Sequence, residues 1–279
     1  MTSLPAATTA NRNSRPQTNL TVLRREQLSP HMVRIVAGGP GFAAYVNNDY
    51  VDRYIKIAFP QPGVDYPQPL DLWAIRESHP REQWPHTRTY TVRWVDPAAG
   101  ELAIDFVIHG DEGLAGPWAA TAQPGDALVF TGPGGGYNPD PAADWHLFAG
   151  DESALPAISA AIESLPRDAR GLAFLEVDGD ADVVAIDSPA GVELHWLLRR
   201  GTPAGDGGLL VEAVRDAQWP EGRVHVFAHG ERGSMKSLRE VFFAQRGLER
   251  GQVSLSGYWA RGRVEDEFQA EKKLPVGKI

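Results

Sequence analysis

The pattern of apolar residues changes near residue 140, and this change constrains the fold of the 279-residue chain more than any other feature. Before it, six segments alternate apolar and polar residues with the period of half-buried strands, at 20–25, 32–36, 54–59, 89–94, 101–108 and 127–131. One short helical piece lies at 118–122. Because short strands joined by turns are typical of closed antiparallel sheets, we predict a six-stranded antiparallel Greek-key β-barrel over residues 19–140.

Beyond residue 140, short apolar runs alternate with helical segments. Strands are expected at 145–149, 171–177, 192–197 and 224–228, and helices at 154–165, 208–215 and 234–246. This alternation predicts a parallel sheet with covering helices, so residues 141–279 should form a second, α/β domain. Residues 1–18 lack the apolar core of a signal peptide and are predicted to be a disordered lead.

Composition excludes several classes of protein. The chain has no cysteine, which removes disulfides, thiolate zinc sites and cysteine-ligated iron–sulfur clusters. A net charge of −9 argues against binding to nucleic acid or stable association with an anionic membrane. The eight histidines lack the usual metal-ligand spacings, so no metal site is expected. Any redox chemistry would depend on a bound organic cofactor or on a metal that the substrate brings.

The segment 88–93 (RTYTVR) combines residue types that suit a flavin dinucleotide. On a strand, Arg88 and Tyr90 share one face, while Thr89 and Thr91 share the other. An arginine fork fits phosphate oxygens, a tyrosine offers an aromatic surface, and a threonine offers a small donor. Taken alone, the segment is equally consistent with an ordinary amphipathic strand.

A second segment, 109–119, follows about twenty residues later and joins flexible glycines to the start of a helix at Pro117. The amides and dipole of a helix N-terminus suit a pyrophosphate, although an ordinary loop and cap would look the same. The two segments together predict one cofactor cradle.

Four motifs occur in order along residues 20–270, at 88–93, 105–110, 150–158 and 257–266 (RTYTVR, DFVIHG, GDESALPAI and GYWARGRVED). Together they resemble the siderophore-interacting proteins, a branch of the ferredoxin–NADP reductase-like superfamily. The resemblance implies a FAD-binding barrel, a nicotinamide-binding-like α/β domain, and a C-terminal segment that contacts siderophore or flavin. It implies FAD-dependent reduction of ferric iron in a siderophore, with no catalytic side chain beyond the flavin.

The resemblance also assigns residues to the cofactor. The expected FAD contacts lie in the first two motifs, at the following helix start and at the aromatic residue of the last motif: Arg88, Tyr90, Thr91, Val92, Arg93, Asp105, His109, Gly110, Ala115, Gly116, Trp118, Ala119 and Trp259. His109 is expected to contact the cofactor rather than to act as an acid–base catalyst. Trp259 could instead pack the two domains together.

A nicotinamide site is expected to be weak. It would involve Gly150, Asp151, Glu152, Ser153, His229 and Glu231. The glycine-rich dinucleotide fingerprint is absent, and the two acidic side chains at 151 and 152 would repel a pyrophosphate. NADPH or NADH is the expected electron donor, with a reduced protein left as an alternative.

The substrate, a ferric siderophore, is commonly anionic, so cations are expected around it. Lys56, Arg261 and Arg263 are the candidates, each of which could also be an ordinary solvated charge. Ala260 stands where the family often has a further arginine. Lys272 and Lys273 are expected to form a solvated tail.

The sequence therefore predicts a cytoplasmic, monomeric FAD-dependent ferric-siderophore reductase. Two alternatives stay open: a flavin reductase or diaphorase with another acceptor, and a non-catalytic siderophore-binding module for iron trafficking.

Overall fold

The computed structural model describes residues 16–110, 113–206 and 208–279, and begins with a closed antiparallel barrel. Its strands are β1 (Gln17–Ser29), β2 (Met32–Gly38), β3 (Tyr54–Phe59), β4 (His86–Asp96), β5 (Glu101–Val107) and β6 (Ala127–Gly134). They close in the order β1-β2-β5-β4-β3-β6. The long connection from β2 to β3 places β2 beside β5, which is a Greek-key arrangement. The predicted barrel is confirmed.

Alternation along the strands fills the barrel with apolar side chains. Ile35 of β2, Ile104 and Phe106 of β5, and Phe130 of β6 are fully buried there. Helix α2 (Ala115–Thr121) packs against this core and contributes Ala119 to it. A further helix, α1 (Leu72–Ser78), was not predicted; it is capped by Asp71 and buries Leu72 and Ile75 in a small separate cluster.

The second domain is a five-stranded parallel sheet covered by helices. Its strands are β7 (Trp145–Gly150), β8 (Arg170–Val177), β9 (Gly191–Leu198), β10 (Val224–Glu231) and β11 (Val253–Trp259), in the order β11-β10-β7-β8-β9. The helices are α3 (Leu155–Glu163), α4 (Leu209–Asp216), α5 (Arg232–Arg239) and α6 (Glu265–Glu271). The side chains of α3 and those of α4 and α5 belong to two separate buried clusters. The predicted two-domain fold class is confirmed.

Other elements also differ from the sequence expectation. Strand β11 and helix α6 were not predicted at all. The single helix expected at 234–246 is α5 followed by a wider π-helical segment, Glu240–Gln245, in which the consecutive residues Val241 and Phe242 are both buried. The barrel begins at Gln17, so the last two residues of the expected lead, 17 and 18, belong to β1. Residues 1–15 lie outside the described residues.

Several side-chain contacts join the domains away from their covalent connection, and two of them lie outside the cleft. Arg93 of β4 donates to Glu163 at the end of α3, with a nitrogen–oxygen distance of 2.7 Å. In the second contact, Asp182, which follows β8, accepts a hydrogen bond from Ser29 Oγ of β1 at 2.9 Å. Its other carboxylate oxygen lies 3.0 Å from His31 Nδ1. His31, Asp182 and Asp178 also bring their ligand-type atoms within 4.8 Å of one another, a proximity that the sequence spacing did not reveal. No helix in the described part of the chain is long and apolar enough to cross a membrane.

Candidate active site

A cleft of about 750 Å³ lies between the barrel and the α/β domain. Volumes of roughly 300–1,000 Å³ are typical of ligand and cofactor sites. Its lining comes from β3, β4 and β5, from the turn after β7, from a loop before α4, and from β11 and α6: Tyr54, Lys56, Arg88, Thr89, Tyr90, Thr91, Asp105, Val107, His109, Asp151, Glu152, Ser153, Pro156, Pro203, Ala204, Ser256, Tyr258, Trp259, Arg261, Glu265, Gln269 and Lys272. The structure therefore brings the barrel motif and the C-terminal motif to one cavity.

Strand β4 supplies the barrel wall of the cleft. Arg88 is largely buried and donates to the carbonyl of Thr87 at 2.9 Å. Its other partner is the exposed carboxylate of Asp266, at 3.3 and 3.5 Å. Charge-assisted hydrogen bonds of this kind are usually about 2.7–2.9 Å long. The guanidinium group is thus held in place on one side and loosely paired on the other.

Tyr90 and Thr91 lie next to Arg88 in the same wall. The Tyr90 ring packs on Phe106 of the barrel core with centroids 4.4 Å apart, and burial raises the pKa of its hydroxyl. Thr91 is buried and hydrogen-bonds the side chain of Tyr258 from β11, so the two domains meet across the cleft. A neutral aromatic surface and a hydroxyl pair are therefore fixed beside the cation.

Two further predicted cofactor residues, Asp105 and His109, also line the cleft. Asp105 on β5 is buried and is paired in a two-pronged fashion with Arg34, at 2.7 and 2.8 Å. His109 is exposed at the end of the same chain segment. Gly110 follows with a φ of +57°, in the left-handed region that favours glycine.

The remaining cofactor candidates of the barrel lie behind the wall. Ala115 and Ala119 are buried against the barrel core, and Trp118 packs its ring 5.6 Å from that of Phe106. Gly116 lies where an added Cβ would be 3.4 Å from the carbonyl oxygen of Val107, so a side chain there would crowd β5.

Val92 and Arg93, which follow Thr91 in the motif, also have other surroundings. Val92 is buried in the barrel core. Arg93 is engaged with Glu163 and lies 3.9 Å from Asp105. Their predicted role in holding the cofactor would be indirect, through the position of the strand.

On the α/β side, the turn after β7 is organised by the buried carboxylate of Asp151. It accepts hydrogen bonds from the Ser153 amide at 3.0 Å, the Glu231 amide at 2.8 Å and Trp259 Nε1 at 2.8 Å. Burial raises the pKa of Asp151, although these donors act in the opposite direction. One carboxylate therefore ties together the ends of β7, β10 and β11 and fixes the Trp259 ring in the cleft.

Glu152 is also buried, but its charge is compensated. Its two oxygens accept from Arg199 at 2.6 and 2.8 Å. The same guanidinium lies 3.6 Å from Glu176, whose pKa burial raises to about 7. The expected repulsion of a pyrophosphate at this turn is thereby reduced, because Arg199 neutralises one of the two carboxylates.

The other nicotinamide candidates divide into two groups. Ser153 lines the cleft, whereas Gly150 serves packing: an added Cβ would lie 2.6 Å from the carbonyl oxygen of His229. His229 is buried beside Ser254, with Nε2 3.0 Å from the hydroxyl, and burial lowers its pKa to about 3. Glu231 caps α5 by accepting from the Ser234 amide at 2.9 Å. His229 and Glu231 thus support the sheet end rather than line the cavity.

Of the substrate candidates, Lys56 and Arg261 line the cleft. Arg261 forms an exposed ion pair with Asp206 at 2.9 Å. Arg263 is instead paired with Glu271 at 2.7 Å and is not among the residues that line the cleft.

Helix α6 adds cleft residues that sequence reasoning missed, namely Glu265, Gln269 and Lys272. The expectation that Lys272 belongs to a solvated tail is wrong. Lys272 directly follows α6 and lines the cleft, with Nζ 4.6 Å from the Phe268 ring. Much of the residue is exposed, but partial burial of its amine and the charge of nearby Lys56 lower its pKa. The one feature of the sequence that could have indicated this helix is Phe268, its only large apolar residue, which anchors the helix with about 1% of its surface exposed.

Known proteins match this chain along nearly its whole length. The family model described as the siderophore-interacting FAD-binding domain matches residues 21–137, and the one described as siderophore-interacting protein matches residues 143–262. An uncharacterized protein of Mycobacterium tuberculosis is 48% identical over 271 residues, which cover 93% of this chain and 95% of that protein.

Two relatives carry functional names. The ferric vibriobactin reductase ViuB of Vibrio cholerae is 34% identical, over 91% of this chain and 93% of its own. The NADPH-dependent ferric-chelate reductase of Escherichia coli is 31% identical, over 86% and 91%. Among solved structures, a siderophore utilization protein from T. fusca superposes with a TM-score of 0.78 at 38% identity, covering 89% of this chain and 94% of that one. The resemblance drawn from the four motifs is confirmed, and the chain belongs to the siderophore-interacting protein family.

Proposed function

We propose that this protein is a FAD-dependent reductase of ferric siderophores. The observation that carries the proposal is a single cleft into which the Arg88–Tyr90–Thr91 wall of the barrel and the lysines Lys56 and Lys272 both open. A cofactor and an anionic substrate could therefore be held side by side. The match to the FAD-binding family model and the names of the reductases from V. cholerae and E. coli support the same function.

The residues of the barrel wall fit FAD. Arg88 would take a phosphate of the pyrophosphate, because its loose partner Asp266 is exposed and can be exchanged at little cost. Tyr90 would support the cofactor with its ring, and Thr91 would offer its hydroxyl. Trp259, fixed by Asp151, would bound the cavity from the α/β side.

When bound, FAD would supply the chemistry that connects a two-electron donor to the one-electron reduction of Fe(III). The protein's own residues would bind and orient. Lys56 and Lys272 would attract and position an anionic ferric complex, whose own groups supply all ligands to the iron. No side chain needs to transfer a proton to the iron complex.

We further propose NADPH or NADH as the electron donor, bound weakly along Ser153 and Pro156. The E. coli relative, which is named an NADPH-dependent reductase, favours NADPH. The buried Asp151 and the absence of a glycine-rich fingerprint favour a brief encounter over stable binding. The reaction would then take place in the cytoplasm, where nicotinamide nucleotides are available, with the protein acting as a monomer.

The test begins with the purified protein, which should be yellow and retain FAD through gel filtration. Stopped-flow reduction with NADPH and NADH, compared side by side, identifies the donor. Reduced protein is then mixed with ferric siderophores in the presence of a coloured ferrous chelator. Formation of the ferrous chelate supports the proposal. A colourless protein would favour the iron-trafficking alternative, and a yellow protein that reduces no siderophore of any class would favour a diaphorase.

A further inference from the structure

Helix α6 brings a carboxylate into the cationic part of the cleft. Glu265 is the first residue of the helix and lines the cavity, and Gln269 one turn later donates to its Oε1 at 2.8 Å. Its charge interacts with those of Arg88, Lys56 and Lys272. Burial raises the pKa of Glu265, while the Gln269 hydrogen bond and these cations act to lower it.

The other acidic residues among the described lining residues are already engaged. Asp105 is paired with Arg34, and Glu152 with Arg199. Asp151 is directed at the amides of Ser153 and Glu231 and at the Trp259 ring nitrogen. Among the acidic residues that line the cleft, Glu265 is therefore the one whose charge would act on a ligand bound between Lys56 and Lys272.

Ferric siderophores differ widely in net charge. Fe(III) held by three hydroxamates is neutral, because each hydroxamate carries a single negative charge. Fe(III) held by three catecholates is a trianion, because each catecholate carries two. A fixed carboxylate in the cleft opposes the trianion much more than the neutral complex, since the Coulomb energy scales with the product of the charges.

We propose that Glu265 is a specificity-determining residue that disfavours ferric complexes of high negative charge, such as tris-catecholates, relative to complexes of lower charge. This inference rests on the proposed function, because it assumes that the cleft binds ferric siderophores. The lysines Lys56 and Lys272 provide general attraction for oxygen-rich ligands, and Glu265 sets the upper limit of negative charge that the cleft accepts.

The experiment compares the FAD-loaded wild type with Glu265→Gln, which keeps the size and hydrogen-bonding capacity of the side chain but removes its charge. Gallium(III) complexes of a tris-hydroxamate (desferrichrome) and of a tris-catecholate (enterobactin) serve as redox-inert probes, with binding followed by quenching of tryptophan fluorescence. Glu267→Gln is the matched control, since Glu267 is exposed two residues along the same helix and outside the cleft lining.

We expect Glu265→Gln to tighten binding of the trianionic gallium complex by roughly tenfold and to change binding of the neutral one by less than about twofold. Added salt should reduce the difference. The control should match the wild type with both probes. Equal changes for both probes, or no change for either, would overturn the inference.

If Glu265→Gln loses FAD or unfolds, Glu265→Ser provides the same neutralisation with a smaller side chain. Ferrous release from the corresponding iron complexes is measured in parallel. A wild type that binds the gallium probes but releases no ferrous iron would contradict the proposed function while leaving the charge selectivity intact.

Discussion

Replacing Arg88 by alanine tests the assignment of the barrel wall most directly. The side chain is 16% exposed and is anchored by its bond to the Thr87 carbonyl, so it is already oriented towards the cleft. Its contacts to Asp266, at 3.3 and 3.5 Å, are longer than good charge-assisted bonds, and Asp266 itself is 62% exposed. Exchanging this partner for a phosphate should therefore cost little.

The size of the effect follows from the bond that would be lost. A hydrogen bond to a charged group contributes about 1.5–3 kcal/mol net, which corresponds to an affinity change of roughly 10- to 150-fold. We therefore expect Arg88→Ala to weaken FAD binding within this range. Its thermal stability without cofactor should stay near that of the wild type, because the contact with Asp266 is weak and surface ion pairs contribute about 0–1 kcal/mol.

The assay is titration of the FAD-free protein with FAD, followed by flavin fluorescence, together with thermal unfolding. Arg93→Ala is the matched variant from the same strand. Arg93 is engaged with Glu163 rather than with the cleft, so its loss should lower stability by about 1–3 kcal/mol and leave the affinity for FAD nearly unchanged.

The reasoning predicts opposite results for the two arginines. Full FAD affinity in Arg88→Ala would refute the assignment of the β4 wall. Loss of FAD from Arg93→Ala without loss of stability would show that the cofactor reaches further along the strand than the cleft does.

Three further predictions concern charge. Lys56→Ala should keep bound FAD but raise the KM for an anionic ferric siderophore by roughly tenfold, measured in the ferrous-trap assay. Glu176 has a pKa raised to about 7 from an ordinary 4.5, so its contribution to stability is present at low pH and is lost as pH rises through about 7. The free energy of urea unfolding of Glu176→Gln, taken relative to that of the wild type, should therefore rise by about 3 kcal/mol from pH 5 to pH 8, because only the wild type loses stability over this range and one pKa unit corresponds to about 1.4 kcal/mol. An equal difference at both pH values would contradict this. Burial acts to raise the pKa of Asp182, but hydrogen bonds from His31 and Ser29 outweigh it and hold the pKa below its ordinary value, so its contribution is lost as pH falls. Asp182→Asn should lower stability by about 1–3 kcal/mol at neutral pH and by progressively less in acid, as read from denaturant midpoints.

The barrel strands and most of the parallel sheet could be predicted because their signals are local. Apolar alternation in β3 or β5 reports directly on which side chains face the core. Strand β11 was missed because its residues are only half buried and its parallel partner, β10, lies more than twenty residues earlier. Such pairing leaves no short-range turn signal.

Helix α6 was missed for a different reason. Its sequence, EDEFQAE, has one large apolar residue, so no hydrophobic stripe marks it. Phe268 is buried only in the complete tertiary fold, and its burial is what places Glu265 and Lys272 in the cleft. The motif residues on β4 were predicted from residue type and from the family resemblance. That Arg88 lines the cleft while Arg93 is paired with Glu163 could not be predicted, because Glu163 belongs to the other domain.

The contacts of Arg93 with Glu163 and of Asp182 with His31 bear on how the width of the cleft is maintained. They fix the two domains to each other through side chains, while the peptide connection runs through exposed residues at 141–142. Doubling the length of a flexible connection costs only about 0.6 kcal/mol in chain entropy. We therefore expect that extra residues at 141–142 would leave the spacing between the flavin wall and the opposite sheet unchanged, whereas loss of either side-chain contact would change it.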